Sequence, residues 1–210
     1  MATMSMNKVI HRAFRRDLDR FVAALGSFPA GDHERAAGLG RAWDNFEDQL
    51  THHHTGEHEI AWPALRRLGV SDDLLAQLDA EHDVMAGALG DALTTMTRLR
   101  TSASADDAAA AKAAFEQLRT VTITHLDHEE SEVEDVYLSN VDSPVVKEMG
   151  KQFAKVSPAR GGRFFAWLLD GATPEEKAAA TSDIPAPVLA VISGVFGRGY
   201  RKDIAPVWRS

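Results

Sequence analysis

Hydrophobic residues recur every three or four positions through most of the first 140 residues, which is the spacing of an amphipathic α-helix. Asp32 and Ser71 each precede such a stretch and are suitable N-cap residues, while Gly26 follows the end of the first stretch. No run of alternating β-branched and aromatic residues predicts a strand. The predicted helices cover residues 7–25, 33–69, 72 to at least 96, and 106–138.

Four long helices with short connections predict an all-α fold, an up-down-up-down four-helix bundle. The pattern changes beyond Asn140, where short apolar stretches alternate with helix-breaking prolines. We therefore expect a bundle formed by residues 1–140 and a C-terminal extension of short helices formed by residues 141–210. The prolines that divide this extension are Pro144, Pro158, Pro174, Pro185, Pro187 and Pro206.

The extension carries many apolar side chains, which need a surface to cover them. We expect it either to pack on the bundle or to form a dimer contact through Phe164, Phe165 and Trp167. The chain is accordingly expected to be a monomer or a homodimer.

Charge and composition exclude several classes of function. The formal net charge of −8 disfavours binding to nucleic acid or to an anionic membrane surface. The chain has no cysteine, which excludes thiolate nucleophiles, zinc fingers and iron–sulfur clusters. No apolar run approaches the roughly 20 residues of a membrane-spanning helix, and no secretory signal is visible. We expect a cytoplasmic protein.

Histidine is the residue type that points to chemistry, since most of the nine histidines fall in two short clusters. The pattern His-x-x-x-Glu occurs once in each cluster, as His53 with Glu57 and as His125 with Glu129. In a helix, residues four positions apart lie on one face, one turn from each other. Imidazole nitrogens and carboxylate oxygens without sulfur form a ligand set that suits iron, manganese or zinc.

The other two predicted bundle helices each offer one histidine at a matching height. Antiparallel neighbours rise equally per residue, so positions equally far from their connection lie at one level. By this geometry His82 lies level with Glu57 and His125, and His11 lies within about one turn of His53. We therefore expect a metal site formed by His11, His53, Glu57, His82, His125 and Glu129.

The two histidine clusters also resemble the signatures of a known family. The second predicted helix contains HHTGEHEIAWPAL at residues 53–65, and the fourth contains HLDHEE at residues 125–130. Both runs resemble the signatures of hemerythrin-like (HHE cation-binding) domains, and His11 and His82 match the histidines of that family's first and third helices. The resemblance covers about residues 8–138, and the C-terminal extension resembles those of longer actinobacterial members.

The resemblance implies two iron ions per chain, in an oxo- or hydroxo-bridged non-haem di-iron centre. Glu57 and Glu129 would be the bridging carboxylates. The terminal ligands, two on each iron, would be His11, His53, His82 and His125.

Two positions depart from the pattern of the oxygen-carrying members. Those members have a second histidine four positions after the third-helix histidine, where this chain has Ala86. They also have an aspartate five positions after the fourth-helix histidine, where this chain has Glu130. Glu129 lies about 40° from His125 around the helix and Glu130 about 140°, so we expect Glu129 to be the ligand.

The resemblance leaves two classes of function open, both with O2, H2O2 or NO as the small-molecule partner. One is a catalase- or peroxidase-like di-iron oxidoreductase that removes hydrogen peroxide or nitric oxide, and the other is an oxygen- or iron-binding sensor without turnover. We expect the enzyme, because two histidines per iron leave an open position on each metal. His54, His58 and His128 are candidates for relaying protons, and one of them is an alternative fifth histidine ligand in place of Ala86.

Two other metal-site patterns compete with this interpretation. His54, Glu57 and His58 fit the His-x-x-Glu-His pattern of inverted zinc peptidases, although that pattern leaves the second cluster unexplained. Ferritin-like di-iron proteins use Glu-x-x-His on two helices, and no glutamate of this chain has a histidine three positions later.

Overall fold

The computed structural model describes residues 4–182, 184 and 186–209, so Pro185, one of the predicted helix breakers, lies outside the described residues. Within this part of the chain the secondary structure is helical, as the sequence predicts. The first part of the chain forms α1 (Met6–Gly26), α2 (His33–Gly56), a π-helical segment (Glu57–Ala61), α3 (Trp62–Arg67), α4 (Asp72–Ser102) and α5 (Ala105–Ser139).

Side-chain caps set where these helices begin. Asp32 accepts a hydrogen bond from the backbone of Arg35, and Ser71 accepts one from the backbone of Leu74. Such caps satisfy backbone donors that have no partner in the first turn of a helix. The predicted N-caps of the second and third helices are thereby confirmed. After α3 the chain turns at Gly69, whose φ of 94° suits a residue without a Cβ atom.

The long helices form the predicted bundle. α1 contacts α2 and α5, and α4 likewise contacts α2 and α5, so each helix packs against two neighbours. The π-helical segment and α3 continue directly from α2. The prediction of an all-α four-helix bundle with short C-terminal helices is confirmed.

The second predicted helix is interrupted within its length. The backbone N–H of Trp62 bonds to the carbonyl of Glu57, five residues earlier, which is the wider turn of a π-helix. Pro63 follows at the start of α3 and has no N–H to donate to the carbonyls of the π-helical segment before it. The interruption starts at Glu57, one of the predicted ligands, so the local change of helical register lies at the predicted metal site.

The C-terminal extension consists of short helices, and the first three of them begin at a proline. Thr173 and Glu176 form a capping box at the start of α8. The elements are α6 (Pro144–Phe153), α7 (Pro158–Leu168), α8 (Pro174–Thr181), α9 (Ala186–Val191), a second π-helical segment (Ile192–Phe196), α10 (Arg198–Asp203) and a 3-10 turn (Ala205–Trp208).

Trp167 of α7 lies fully buried against α1. Its indole N–H donates to Asp17 Oδ2 at 2.7 Å, and its ring packs on Phe14 with centroids 5.0 Å apart. Phe14 in turn packs against the imidazole of His53, with ring centroids 5.3 Å apart. A side chain of the extension is thus separated from a predicted metal ligand by a single phenylalanine.

Two apolar clusters fill the bundle on either side of a polar layer. The larger includes Leu50, Met85 and Leu126, and the smaller includes Trp62, Leu78 and Val133. Along these helices four predicted ligands lie between members of the two clusters, namely His53, Glu57, His82 and Glu129. His125 directly precedes Leu126 of the larger cluster. Among the described residues, no helix is both long enough and apolar enough to cross a membrane.

Candidate metal centre

Two groups of metal-ligating side chains lie next to each other in this polar layer, and they share Glu57. Within each group the ligand atoms all lie within 4.8 Å of one another. The structure brings together all six residues that the sequence predicts as ligands, and it adds His54. One group holds His11, His53, Glu57 and Glu129, and the other holds His54, Glu57, His82 and His125.

The two carboxylates each lie between histidines of different groups. Glu57 Oε1 lies 3.0 Å from His53 Nε2, and Glu57 Oε2 lies 3.4 Å from His82 Nε2. Glu129 Oε2 lies 3.2 Å from His11 Nε2 and 3.7 Å from His125 Nε2. Each glutamate therefore lies near histidines of both groups, and Glu57 is itself a member of both.

The histidine nitrogens also approach one another in pairs. His11 Nε2 lies 3.2 Å from His53 Nε2, and His82 Nε2 lies 3.0 Å from His125 Nε2. A close contact between two imidazole lone pairs is unfavourable unless a proton or a metal ion lies between them. The arrangement fits imidazoles that share a cation.

His54 is the residue whose role the sequence leaves open between proton relay and ligand. Its ring stacks on that of His82, with centroids 4.0 Å apart and an interplanar angle of 14°. Its Nε2 is buried and has no hydrogen-bond partner among the described residues. His54 thereby adds a histidine to the second group. Ala86, which stands where the oxygen-carrying members have a histidine, offers no ligand there.

Carboxylates outside the two groups hold the far nitrogens of the ligand histidines. Glu130 lies 3.1 Å from His11 Nδ1, and Glu81 lies 2.8 Å from His125 Nδ1. Carboxylates in this position orient an imidazole and increase its basicity as a ligand. Glu130 therefore lies beside the centre, while Glu129 lies in it.

Some of these contacts were missed by sequence reasoning. Asn7 donates to Glu129 Oε1 at 2.9 Å, and its only signal in the sequence is its position one turn before His11. Glu81 directly precedes His82, and that adjacency does not indicate a contact with His125 of another helix. Both residues act across a helix interface, which the spacing within one helix does not report.

Burial keeps most of the imidazoles neutral. It lowers the pKa of His53 to about 3, and the neighbouring His11 adds to this shift. It also lowers the pKa of His82 to about 4, with a further contribution from His125. The pKa of His54 is lowered by burial and then by His82. A neutral imidazole offers the free lone pair that a metal ion requires.

The carboxylates respond differently to the same surroundings. Burial, together with the adjacent charge of Glu129, raises the pKa of Glu57 well above its ordinary value. Burial lowers the pKa of His11, but Glu129 and Glu130 outweigh it and raise this pKa to about 9. Burial also raises the pKa of Glu129, but the charge of His11 outweighs burial and lowers this pKa to about 2. Without a metal ion, Glu57 and His11 therefore hold protons in the layer, while Glu129 stays charged.

The residues present fit a metal ion. Glu57 Oε1 and Oε2 and Glu129 Oε2 are buried, and they accept no well-aligned hydrogen bond from the described residues. Unsatisfied carboxylate oxygens in an apolar interior are costly, and a cation removes that cost. The set of oxygen and nitrogen donors without sulfur suits iron, manganese or zinc.

The competing zinc-peptidase pattern requires His54 and His58 to face the same ion. His58 belongs to neither group, because its side chain is 70% exposed and pairs with Asp79 at 3.2 Å. His128 lies outside both groups as well and pairs with Glu81 at 2.7 Å. The geometry therefore gives no support to the peptidase interpretation.

Comparison with known proteins identifies the family. Residues 7–137 match the hemerythrin HHE cation-binding domain, and this range covers more than half of the chain. No curated protein and no solved structure gives a significant match. The matched range extends from α1 to α5 and includes every residue of both ligand groups. The chain therefore belongs to the hemerythrin HHE cation-binding domain family.

Proposed function

We propose that the chain is a non-haem di-iron protein that consumes hydrogen peroxide or nitric oxide. Two iron ions would supply a redox centre that exchanges electrons with these small molecules. Glu57 and Glu129 would contact both irons. The histidines would divide between the two positions as His11 and His53 on one side and His54, His82 and His125 on the other.

The observation that carries the proposal is the convergence of five imidazoles and two carboxylates in one buried layer. His11, Glu57, His125 and Glu129 are fully buried. A site enclosed to this degree favours small ligands over extended substrates. O2, H2O2 and NO are of suitable size.

Proton-carrying groups around the layer favour turnover over stable oxygen binding. His128 is partly exposed and shares Glu81 with His125. On another side, exposed His58 contacts Asp79, whose carboxylate also lies 3.7 Å from His82 Nδ1. Reduction of peroxide consumes protons, and these side chains provide routes from the surface to the layer.

Iron content and peroxide turnover test the proposal together. Iron-loaded protein should hold two irons per chain and release one O2 for every two molecules of H2O2 consumed. His53→Ala should lower the iron content and the O2 yield, because it removes a ligand of the first position. His33→Ala is the matched control, since His33 is exposed at the start of α2. Full iron content without consumption of H2O2 or NO would contradict the enzymatic function.

An oxygen- or iron-binding sensor is the second candidate, and His54 is the observation that favours it. A third histidine in the second group would leave that iron with fewer open positions than two histidines would. Exposure of the reduced, iron-loaded protein to O2 separates the two functions. A long-lived oxygenated spectrum that reverses on degassing would support the sensor, while rapid oxidation with peroxide turnover would support the enzyme.

A further inference from the structure

Glu81 of α4 contacts two histidines of α5, one with each carboxylate oxygen. His125 Nδ1 lies 2.8 Å from Oε2, and His128 Nδ1 lies 2.7 Å from Oε1. A carboxylate only accepts hydrogen bonds, so both imidazoles carry a proton on Nδ1 and donate it to Glu81. In a neutral His125 this leaves the lone pair on Nε2, which lies 3.0 Å from His82 Nε2.

We infer that Glu81 is a positioning residue that fixes the tautomer and the ring orientation of His125 for metal binding. The inference rests on the proposed ligand set, in which His125 belongs to the second position. Without the acceptor at Nδ1, the proton of His125 could lie on Nε2, and that nitrogen could not bind a metal. Glu81 should therefore control one metal position and leave the other intact.

Glu130 is the corresponding carboxylate of the first position, in a different charge environment. It lies 3.1 Å from His11 Nδ1, but it also pairs with Arg15 at 2.6 Å and with Lys8 at 3.6 Å. Glu81 forms no ion pair with lysine or arginine in the described part of the chain. More of the charge of Glu81 therefore remains available to polarise its imidazoles.

Glu81→Gln tests this role because it keeps the shape of the side chain and removes one acceptor. The glutamine amide accepts from only one of the two imidazoles and presents an N–H to the other. In one orientation His125 Nδ1 faces a donor, and in the other it donates to an uncharged oxygen, which raises the basicity of the imidazole less than a carboxylate does. The variant should lose about 10- to 100-fold in affinity at one metal position and keep the other. The measurement is an anaerobic titration of the full chain with Co²⁺ against a competing chelator, followed by visible absorption.

Two further variants separate positioning from a purely structural link between α4 and α5. His128→Leu removes one of the two contacts of Glu81 and leaves His125 in place, so it should bind two Co²⁺ with affinities within about threefold of the unaltered chain. Glu130→Gln should weaken the opposite position, so its single remaining Co²⁺ should show a different spectrum from that of Glu81→Gln. A loss of affinity in His128→Leu as large as in Glu81→Gln would overturn the positioning role.

The outcomes also separate this inference from the proposed ligand set. If the unaltered chain binds two Co²⁺ and Glu81→Gln binds two with unchanged affinities and spectra, Glu81 has no positioning role and the ligand set stands. If the unaltered chain binds fewer than two Co²⁺, the proposed ligand set is wrong. The inferred role of Glu81, which depends on that set, is then wrong as well. If Glu81→Gln does not fold, Glu81→Met takes its place. This variant removes both acceptor oxygens at a similar side-chain length, and an unchanged Co²⁺ spectrum together with unchanged affinity would then contradict the inference.

Discussion

Glu57 is the one side chain that both groups of ligands share. Its two oxygens lie beside His53 of the first group and His82 of the second. A terminal histidine touches one metal position, whereas a carboxylate between the groups touches two. Changes at residue 57 should therefore affect the whole centre, while changes at a histidine should affect one half first.

We expect Glu57→Ala to reduce iron binding at both positions and to shift the charge-transfer absorption of the loaded protein. The physical reason is the loss of a buried anionic ligand that lies within 3.0–3.4 Å of imidazoles from both groups. Iron content after dialysis and the visible spectrum are the measurements. Glu59→Ala is the control, because Glu59 lies on the same π-helical segment and is exposed. Two retained irons with an unchanged spectrum would disprove a bridging role for Glu57.

The sequence predicts which candidate ligands lie close together wherever both belong to one helix. His53 with Glu57 and His125 with Glu129 follow from a spacing of one turn, and the structure places each pair together. The participation of His54 was not predictable in the same way. It depends on stacking against His82 of another helix, which no pattern along α2 reports. The ligand roles themselves stay a prediction until a metal is measured.

At the scale of elements, helix boundaries were the most predictable feature, because capping chemistry is local. Ser71 and Asp32 begin α4 and α2 as expected. The π-helical segment was not predicted, although Pro63 lies within the second predicted helix, where a proline disfavours regular α-helix. Proline marks where regular α-helix is disfavoured, but the wider turn that accommodates it depends on the packing around Glu57.

The junction between α1 and α7 supplies a prediction about stability. Trp167→Phe removes the hydrogen bond to buried Asp17 and keeps most of the aromatic contact with Phe14. We expect the free energy of unfolding to fall by about 1.5–3 kcal/mol, the usual contribution of a hydrogen bond to a charged group. Urea denaturation of the metal-free protein, followed by circular dichroism, measures the change.

Trp208→Phe is the matched control for this substitution. Trp208 also belongs to the extension and packs on Phe21 of α1, with ring centroids 4.9 Å apart. Its indole nitrogen is buried and has no hydrogen-bond partner among the described residues. The variant should therefore lose less stability than Trp167→Phe. Equal losses in the two variants would show that ring size, and not the bond to Asp17, explains the effect.

At the scale of the whole molecule, the division at residue 140 stays a prediction, but it does not coincide with a break in the packing. Trp167, Tyr200 and Val207 belong to the same apolar cluster as Phe14 and Leu50 of the bundle. The sequence could predict that the extension needs a partner surface. It could not predict which face of the bundle supplies it, because that depends on contacts between residues about 150 positions apart.

The polar layer between the two apolar clusters also predicts how metal binding changes global stability. Buried glutamates and closely spaced imidazoles are unfavourable without a cation, and metal binds the folded arrangement but not the separated residues of an unfolded chain. At a free Fe²⁺ concentration of about 100 times the dissociation constant, one site adds about 2.7 kcal/mol. For a chain of this size that corresponds to a rise of about 5–10 °C in the thermal midpoint.

Anaerobic melting with Fe²⁺ and with Mg²⁺ makes the comparison, since Mg²⁺ prefers oxygen ligands and should give no comparable shift. Equal midpoints for the metal-free and Fe²⁺-loaded protein would show that the layer is stable without metal, and that its imidazoles and carboxylates are satisfied by protons alone.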